Sequence, residues 1–181
     1  MPVLKYIIFE GVVEQQASTR LAAAIEQLSQ SGAEQIIILF SSLGGNIYEG
    51  FLLATIIQNS KVSIRIHATN HIDSIANVIF LAAKERTTES YAKFYLHGAS
   101  VQGSFDEKGL KEKLSEVKAQ NSRIANFVAE NSSVSLKKVQ EMMEAGTTIS
   151  AQDAKKKAFV QNIEHLEIPE GTERVEIVYV N

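Results

Sequence analysis

Ser74 and His97 are the two side chains of this sequence whose types and positions suit nucleophilic chemistry. Ser74 lies between a β-branched run and an apolar helical stretch. A serine at such a junction has its hydroxyl at the positive end of the helix dipole, and the next N–H lacks a partner within the helix. His97 follows the strand-like stretch Lys-Phe-Tyr-Leu, and histidine is the commonest general base because its pKa lies near neutrality. Taken singly, Ser74 also fits an ordinary helix N-cap, and His97 fits a hydrogen-bonded structural residue.

Two glycines, Gly44 and Gly45, follow another β-branched run and precede a helical stretch. Glycine lets the backbone turn sharply and leave N–H groups pointing outward, where they can hold a developing oxyanion. Alone, the pair is more typical of a turn. However, Gly44 precedes Ser74 by 30 residues and Ser74 precedes His97 by 23. Each follows a predicted strand, and ligands of parallel sheets bind at the carboxyl ends of the strands. One sheet edge would therefore gather a nucleophile, a base and oxyanion donors.

The elements that must position these residues alternate along the first half of the chain. The apolar periodicity predicts strands at 5–9, 35–40, 62–68 and 93–96, and helices at 17–28, 48–58 and 74–84. The run at 35–40 is continuously β-branched or apolar, which suits a strand buried on both faces. The order predicts an α/β fold with a mostly parallel sheet and helices packed on it.

The second half is predicted to be mainly helical. A long helix at 108–130 has a narrow apolar seam with Asn121 at its one polar position. The apolar seam residues are Leu110, Leu114, Val117, Ile124 and Val128. Such a seam is typical either of packing against a partner chain or of an ordinary core-packed helix. Two shorter helices, at 135–144 and 151–157, have Ser135 and Ser150 as N-caps.

The C-terminal stretch, about 171–181, contains a predicted strand at 174–180. This strand would either complete a sheet edge or mediate assembly. The middle of the chain has no Pro/Gly/Ser-rich linker, so we predict one domain over residues 1–181.

Composition excludes several classes of function. The net charge of the 181 residues is −3, and the longest basic run is the three lysines 155–157, which argues against nucleic acid. The sequence has no cysteine, and none of His67, His71 and His165 has metal-ligand spacing near a carboxylate, so no metal or cofactor is expected. No apolar run is long enough to span a membrane, and the N-terminus lacks signal-peptide features, so a cytoplasmic location is expected.

The order of these motifs resembles that of the proteolytic subunit of the Clp protease family, over about residues 6–163. In that family a strand ends in Asn-Ser-Pro-Gly-Gly, and the nucleophile lies in a Gly-x-Ala-Ala-Ser-Met-Gly elbow. The base follows a strand in an Ile-His pair, and a later helix starts at Ser-Ala-x-Glu-Ala. The corresponding segments here are Ser-Ser-Leu-Gly-Gly (41–45), Asn-His-Ile-Asp-Ser-Ile-Ala (70–76), Leu-His (96–97) and Ser-Ala-Gln-Asp-Ala (150–154).

The resemblance implies a ClpP/crotonase-like fold, in which the helix at 108–130 would be the protruding handle helix. It implies a homo-oligomer of rings that stack face to face through these helices. It also implies docking of an ATP-driven unfoldase. This chain itself has no nucleotide-binding motif.

By the same resemblance, the protein would be a serine endopeptidase acting on unfolded polypeptides. Ser74 would attack the peptide carbonyl, and His97 would take the proton and return it to the leaving amine. The N–H groups of Gly44 and Ile75 would hold the oxyanion. The substrate would lie as an extended strand along the segment of Gly45.

One departure from the family pattern affects the predicted chemistry directly. The position of the third catalytic residue, an acid in the family, is Gly146 here. Glu144 and Asp73 are the candidate replacement acids. The gap leaves a second hypothesis open, a catalytically impaired subunit with a structural or regulatory role. A third hypothesis is an acyl-CoA enzyme of the crotonase type, against which the match of Ser74 and His97 argues.

Overall fold

The computed structural model describes residues 3–179, the side chain of Tyr179 excepted. In this part of the chain the strands are β1 (Leu4–Gly11), β2 (Gln35–Ser42), β3 (Ser63–Asp73), β4 (Glu85–Thr88), β5 (Lys93–Leu96), β6 (Thr147–Ser150), β7 (Asn162–Ile163) and β8 (Arg174–Tyr179). The helices are α1 (Gln15–Gln30), α2 (Ile47–Gln58), α3 (Ala76–Ala82), α4 (Glu107–Glu130), α5 (Leu136–Ala145) and α6 (Ala151–Lys156).

The central sheet has the strand order β6-β5-β3-β2-β1-β8, and the pairs along it are parallel except for β5 with β6. The α/β architecture with a mostly parallel sheet is therefore confirmed. Its centre is β2, where Ile36, Ile37 and Ile38 are all buried. Consecutive buried residues require cover on both faces of a strand, which explains the continuous apolar run there.

The strand β3 is longer than predicted, and its extra length places the candidate nucleophile. Its first half pairs with β4 over residues 65–68, and its last residues pair with β5 over residues 71–73. The prediction ended this strand at residue 68 because the polar residues 69–71 break the alternation. Pairing with β5 supplies the backbone partners that a polar strand end needs, and Ser74 follows directly.

Three short strands, β4, β6 and β7, were not predicted. Two of them are polar in sequence, Glu-Arg-Thr-Thr and Thr-Thr-Ile-Ser. A short strand that is mostly polar has no apolar pattern to indicate it, so tertiary pairing decides its conformation. The antiparallel partner β6 matters for the site because it carries the chain from residue 146 alongside β5.

Helix caps were predicted with mixed success. Ser135 and Ser150 are confirmed as N-caps, since their hydroxyls accept from the N–H groups of Lys138 and Asp153. The N-cap interpretation of Ser74 is wrong, because α3 begins at Ala76 and Ile75 is the residue that precedes it.

The handle helix α4 divides into two halves. Its C-terminal half packs on the core through the buried residues Ile124 and Val128. Its N-terminal half leaves Leu110 and Leu114 exposed, at 57% and 56%. The core-packed interpretation of the apolar seam is therefore confirmed for the C-terminal half, and packing of the N-terminal half against a partner chain stays a prediction.

The C-terminal strand β8 pairs in parallel with β1, so it completes one edge of the sheet. Residue 180, which the prediction included, lies outside the described residues. No helix within residues 3–179 is long and apolar enough to cross a membrane.

Candidate active site

Ser74 lies in a tight turn between β3 and α3. Its φ is +56°, in the left-handed region that residues other than glycine rarely adopt. Its N–H donates to the carbonyl of Tyr95 on β5 at 2.8 Å, which fixes the turn to the neighbouring strand. A non-glycine residue in this conformation costs about 1–3 kcal/mol and persists only where the surroundings impose it. The turn therefore holds the Ser74 side chain at the carboxyl end of the sheet.

Asn77 holds this turn in place, a role that was not predicted from the sequence. Its Nδ2 lies 2.9 Å from the carbonyl of Ile72, 3.1 Å from that of Ser74 and 2.9 Å from that of Tyr95. Its buried Oδ1 has no hydrogen-bond partner among the described residues. The available signal was one polar residue inside the apolar stretch Ala-Asn-Val-Ile-Phe-Leu-Ala of α3. A buried polar group in such a stretch must find partners, and these are the backbone of the turn.

Gly44 and Ser74 are in direct contact, as the spacing predicted. A Cβ on Gly44 would lie 2.7 Å from the Cβ of Ser74 and 2.8 Å from the carbonyl oxygen of Asp73. The φ of Gly44 is +89°, so this position requires glycine for space and for conformation alike. The absence of a Cβ and the positive φ at Gly44 let the turn after β2 pack directly against the turn after β3.

The two predicted oxyanion donors differ in whether their N–H groups already have a hydrogen-bond acceptor. The N–H of Gly44 donates to Oγ of Ser42 at 3.1 Å, so it is engaged within its own turn. The backbone N of Ile75 lies 3.4 Å from the Cβ position of Gly44. Ile75 precedes the first turn of α3, and no acceptor for its N–H is present among residues 3–179. One donor is therefore free, and the other has an internal partner.

The imidazole of His97 is held by its own chain. Nδ1 lies 2.7 Å from the carbonyl oxygen of Gly98. A carbonyl oxygen only accepts, so Nδ1 donates to it, and in the neutral form of the ring the lone pair is then on Nε2. Within the described chain no hydrogen bond joins His97 to Ser74. Catalytic hydrogen bonds are often long before substrate binds, so this arrangement is compatible with a general base.

The space expected for the third catalytic residue is filled by Tyr95. Gly146 ends α5 in the left-handed conformation, with φ +64°. A Cβ on Gly146 would lie 3.0 Å from the hydroxyl of Tyr95. The ring of Tyr95 in turn stacks on that of His97, with centroids 5.0 Å apart and planes at 24°.

The two candidate replacement acids lie in different surroundings. Burial raises the pKa of Asp73, while the nearby charges of His71 and His97 and a hydrogen bond from the N–H of Tyr95 oppose that rise. Asp73 thus interacts with His97 electrostatically. Glu144 is exposed and lines a cavity of about 340 Å³ that Gly98 also borders. Of the two carboxylates, Asp73 has the stronger claim.

A groove runs beside Gly45. The N–H of Val13 donates to the carbonyl of Gly44, and the N–H of Asn46 donates to the carbonyl of Val13, both at 2.7 Å. In such a parallel bridge the N–H and C=O of Gly45 itself point away from Val13. Gly45 also borders a cavity of about 250 Å³, together with residues 46–48 and 99–101 and with one face of α4. An extended chain placed there would find an unpaired strand edge.

A second polar cluster surrounds Glu89, on the sheet but away from the turn of Ser74. The buried ring of His67 contacts Thr87 Oγ1 through Nδ1 at 2.8 Å and Glu89 through Nε2 at 3.3 Å. His165 and the N–H of Leu166 also bond Glu89, at 2.9 Å and 3.2 Å. Across the described chain, no group of three or more His, Cys, Asp or Glu side chains could hold a metal ion.

The pKa values of His67 and Glu89 are both lowered, but for different reasons. Burial lowers the pKa of His67, which outweighs the raising effect of Glu89. Burial alone would raise the pKa of Glu89, but hydrogen bonds from the N–H of Leu166, from His67 and from His165 hold it below its ordinary value. The cluster thus joins β3, the end of β4 and the segment after β7 as a structural unit.

Comparison with known proteins bears on the family and the fold of this chain. The family model described as Clp protease matches residues 4–166. No curated protein sequence matches the chain. Among solved structures, a point mutant of ClpP1 from Listeria monocytogenes is similar, with a TM-score of 0.81 at 18% sequence identity, over 89% of this chain and 91% of that chain. At that identity the likeness shows the fold, which is the ClpP/crotonase-like fold.

Proposed function

The chain belongs to the Clp protease family, and we propose that it is a serine endopeptidase that hydrolyses peptide bonds of unfolded polypeptides through Ser74 and His97. The observation that carries the proposal is the strained turn of Ser74, packed against Gly44 and bonded to the strand that leads to His97. A costly backbone conformation in the turn between a strand and a helix is typical of a nucleophile elbow.

In the proposed mechanism, Nε2 of His97 takes the proton of Ser74 as Oγ attacks the peptide carbonyl carbon. The tautomer needed for this step is the one with the proton on Nδ1, which the carbonyl of Gly98 favours. The oxyanion would accept from the N–H of Ile75, and from that of Gly44 once it leaves Ser42. His97 would then protonate the leaving amine, and water would hydrolyse the acyl-enzyme in the reverse sequence.

The missing acid predicts a slow enzyme. The carbonyl of Gly98 orients the imidazole but carries no full negative charge to stabilise the imidazolium. Alteration of the acid in a Ser-His-Asp triad lowers the rate by up to about 10⁴. The carboxylate of Asp73 would recover part of this loss through its interaction with His97.

The substrate would bind as an extended strand along Gly45. The outward N–H and C=O of Gly45 would pair with its backbone, while side chains of α4 would contact its side chains. Exposed Leu110 and Leu114 on α4 support assembly into stacked rings, because apolar side chains at a protruding helix favour a partner. Ring assembly, an ATP-driven unfoldase partner and a cytoplasmic location are parts of the same proposal.

A second candidate function is a catalytically impaired subunit that binds polypeptides without cutting them. Two observations favour it: Gly146 in place of an acid, and the N–H of Gly44 engaged by Ser42. The same groove would then hold a peptide beside an inactive serine.

Degradation of fluorescently labelled, unfolded casein separates the two candidates. The wild-type oligomer should release fluorescence slowly, and Ser74→Ala should abolish the release. The matched control is Ser104→Ala, which removes an exposed hydroxyl outside the site and should leave the rate unchanged. Casein that binds to wild-type protein but stays intact, at the same level as with Ser74→Ala, would establish the impaired subunit instead.

A further inference from the structure

Tyr95 connects the two halves of the candidate active site through its backbone. It lies opposite Asp73 in the pairing of β3 with β5, two residues before His97. Its carbonyl accepts from the N–H of Ser74 at 2.8 Å and from Nδ2 of Asn77 at 2.9 Å. The same residue therefore fixes the position of the serine turn and begins the segment that ends in the histidine.

The side chain of Tyr95 lies flat against the imidazole of His97. The ring centroids are 5.0 Å apart with an interplanar angle of 24°, a stacked arrangement. The other restraint on the imidazole is the single hydrogen bond from Nδ1 to the carbonyl of Gly98. Rotation of the ring about the Cβ–Cγ bond would break this hydrogen bond and carry Nε2 away from its position, and a flat contact on the ring face opposes such rotation.

The hydroxyl of Tyr95 takes the place of a side chain at position 146. It lies 3.0 Å from where a Cβ on Gly146 would be, so the ring and hydroxyl fill the gap that glycine leaves. We propose that Tyr95 is a positioning residue for His97, which takes over by ring contact the orienting role of an acid at position 146. The catalytic consequence of this proposal rests on the proposed peptidase function.

The arrangement has a consequence for Gly146. The φ of +64° is one that Asp tolerates, so the backbone alone does not forbid Gly146→Asp. The Cβ would nevertheless press on the Tyr95 hydroxyl at 3.0 Å. Restoring the acid alone should therefore displace Tyr95 and disturb His97. Restoring it together with Tyr95→Phe, which removes the hydroxyl, should make room for the carboxylate.

The direct test is ¹⁵N NMR of the His97 ring, which needs no enzymatic activity. The signals are assigned with His97→Gln, and the variants are Tyr95→Leu, Tyr95→Phe and the control Tyr91→Leu, which removes a tyrosine that is 65% exposed. We expect the Nδ1-protonated tautomer in the wild type, Tyr95→Phe and the control, and a mixture of both tautomers in Tyr95→Leu. An unchanged His97 spectrum in folded Tyr95→Leu would overturn the proposal.

The rate of acylation by a fluorophosphonate gives the catalytic arm. Loss of the ring contact in Tyr95→Leu should slow acylation about tenfold, and loss of the hydroxyl alone in Tyr95→Phe should change it less than about twofold. Gly146→Asp should raise the rate in the Tyr95→Phe background and not in the wild-type background. This pair tests the proposal even if Tyr95→Leu does not fold.

The two arms separate the positioning role from the peptidase itself. Equal gains from Gly146→Asp in both backgrounds would overturn the role of Tyr95. A wild-type protein that is not acylated, with the NMR dependence on Tyr95 intact, would overturn the proposed function and support the positioning role of Tyr95.

Discussion

Removal of the Ser42 hydroxyl should make acylation of Ser74 faster. The N–H of Gly44 donates to Oγ of Ser42 at 3.1 Å, and Ser42 is buried at 2% exposure. The proposed mechanism requires the same N–H for the oxyanion. Oγ of Ser42 therefore competes with the transition state for one donor, and Ser42→Ala removes the competitor.

The size of the effect follows from the strength of that hydrogen bond. A neutral hydrogen bond contributes about 0.5–1.5 kcal/mol net. The wild type loses this contribution when the N–H turns to the oxyanion, and the variant has nothing to lose. Since 1.4 kcal/mol is a factor of ten in rate, Ser42→Ala should be acylated about 2–10 times faster. The folded state should lose about 1 kcal/mol, because a buried N–H is left without a partner, and Tm should fall by roughly 2–4 °C.

The assay is the second-order rate of acylation by a fluorophosphonate, with Tm measured on the same samples. Ser41→Ala is the matched control: Ser41 is also buried, but its Oγ accepts from the N–H of His71 at 3.4 Å and not from Gly44. Its acylation rate should equal that of the wild type. A folded Ser42→Ala that is acylated no faster than the wild type would refute the assignment of Gly44 as an oxyanion donor.

Three further predictions concern the supports of the site. A Cβ on Gly50 would overlap Cγ1 of Ile75. Gly50→Ala should therefore lower the free energy of unfolding by about 1–3 kcal/mol, measured by urea denaturation. An unchanged urea midpoint would contradict that packing. Asn77→Ala removes the amide that donates to three carbonyls, so it should both lower Tm and slow acylation. A variant that loses stability but is acylated at the wild-type rate would show that Asn77 does not position Ser74. Stability should also fall from pH 7.5 to pH 4. The pKa of His67 is lowered in the folded protein, so below pH 6.5 the unfolded chain binds the proton more readily, which favours unfolding. The pKa of Glu89 is also lowered, so the stability that its hydrogen-bonded charge contributes is lost as the pH falls below 4.5. A Tm that is flat over this range would contradict the described cluster.

The fold could be predicted wherever burial imposes a long pattern. The run 35–40 predicted β2 because a strand covered on both faces excludes polar residues, and Lys-Phe-Tyr-Leu predicted β5 with its observed ends. The short strands β4 and β6 could not be predicted, since their sequences are mostly polar and their pairing depends on distant segments. For the same reason the end of β3 was placed at residue 68, five residues before Asp73.

The candidate site was predictable in its membership but not in its contacts. The spacing of Gly44, Ser74 and His97 predicted that they share a sheet edge, because parallel strands end together. The roles of Asn77 and Tyr95 depend on which face of α3 and β5 meets the turn, and a single sequence does not specify that face. The engagement of Gly44 by Ser42 depends on one side-chain rotamer, which no sequence pattern encodes.

The most direct test of the central claim is labelling of the purified, folded protein with a fluorophosphonate, followed by peptide mapping. We predict one adduct per chain, on Ser74, that disappears in Ser74→Ala and decreases strongly in His97→Gln, because the serine needs its base. Absence of any adduct on folded wild-type protein, or an adduct on another residue that persists in Ser74→Ala, would contradict the assignment of Ser74 as the nucleophile.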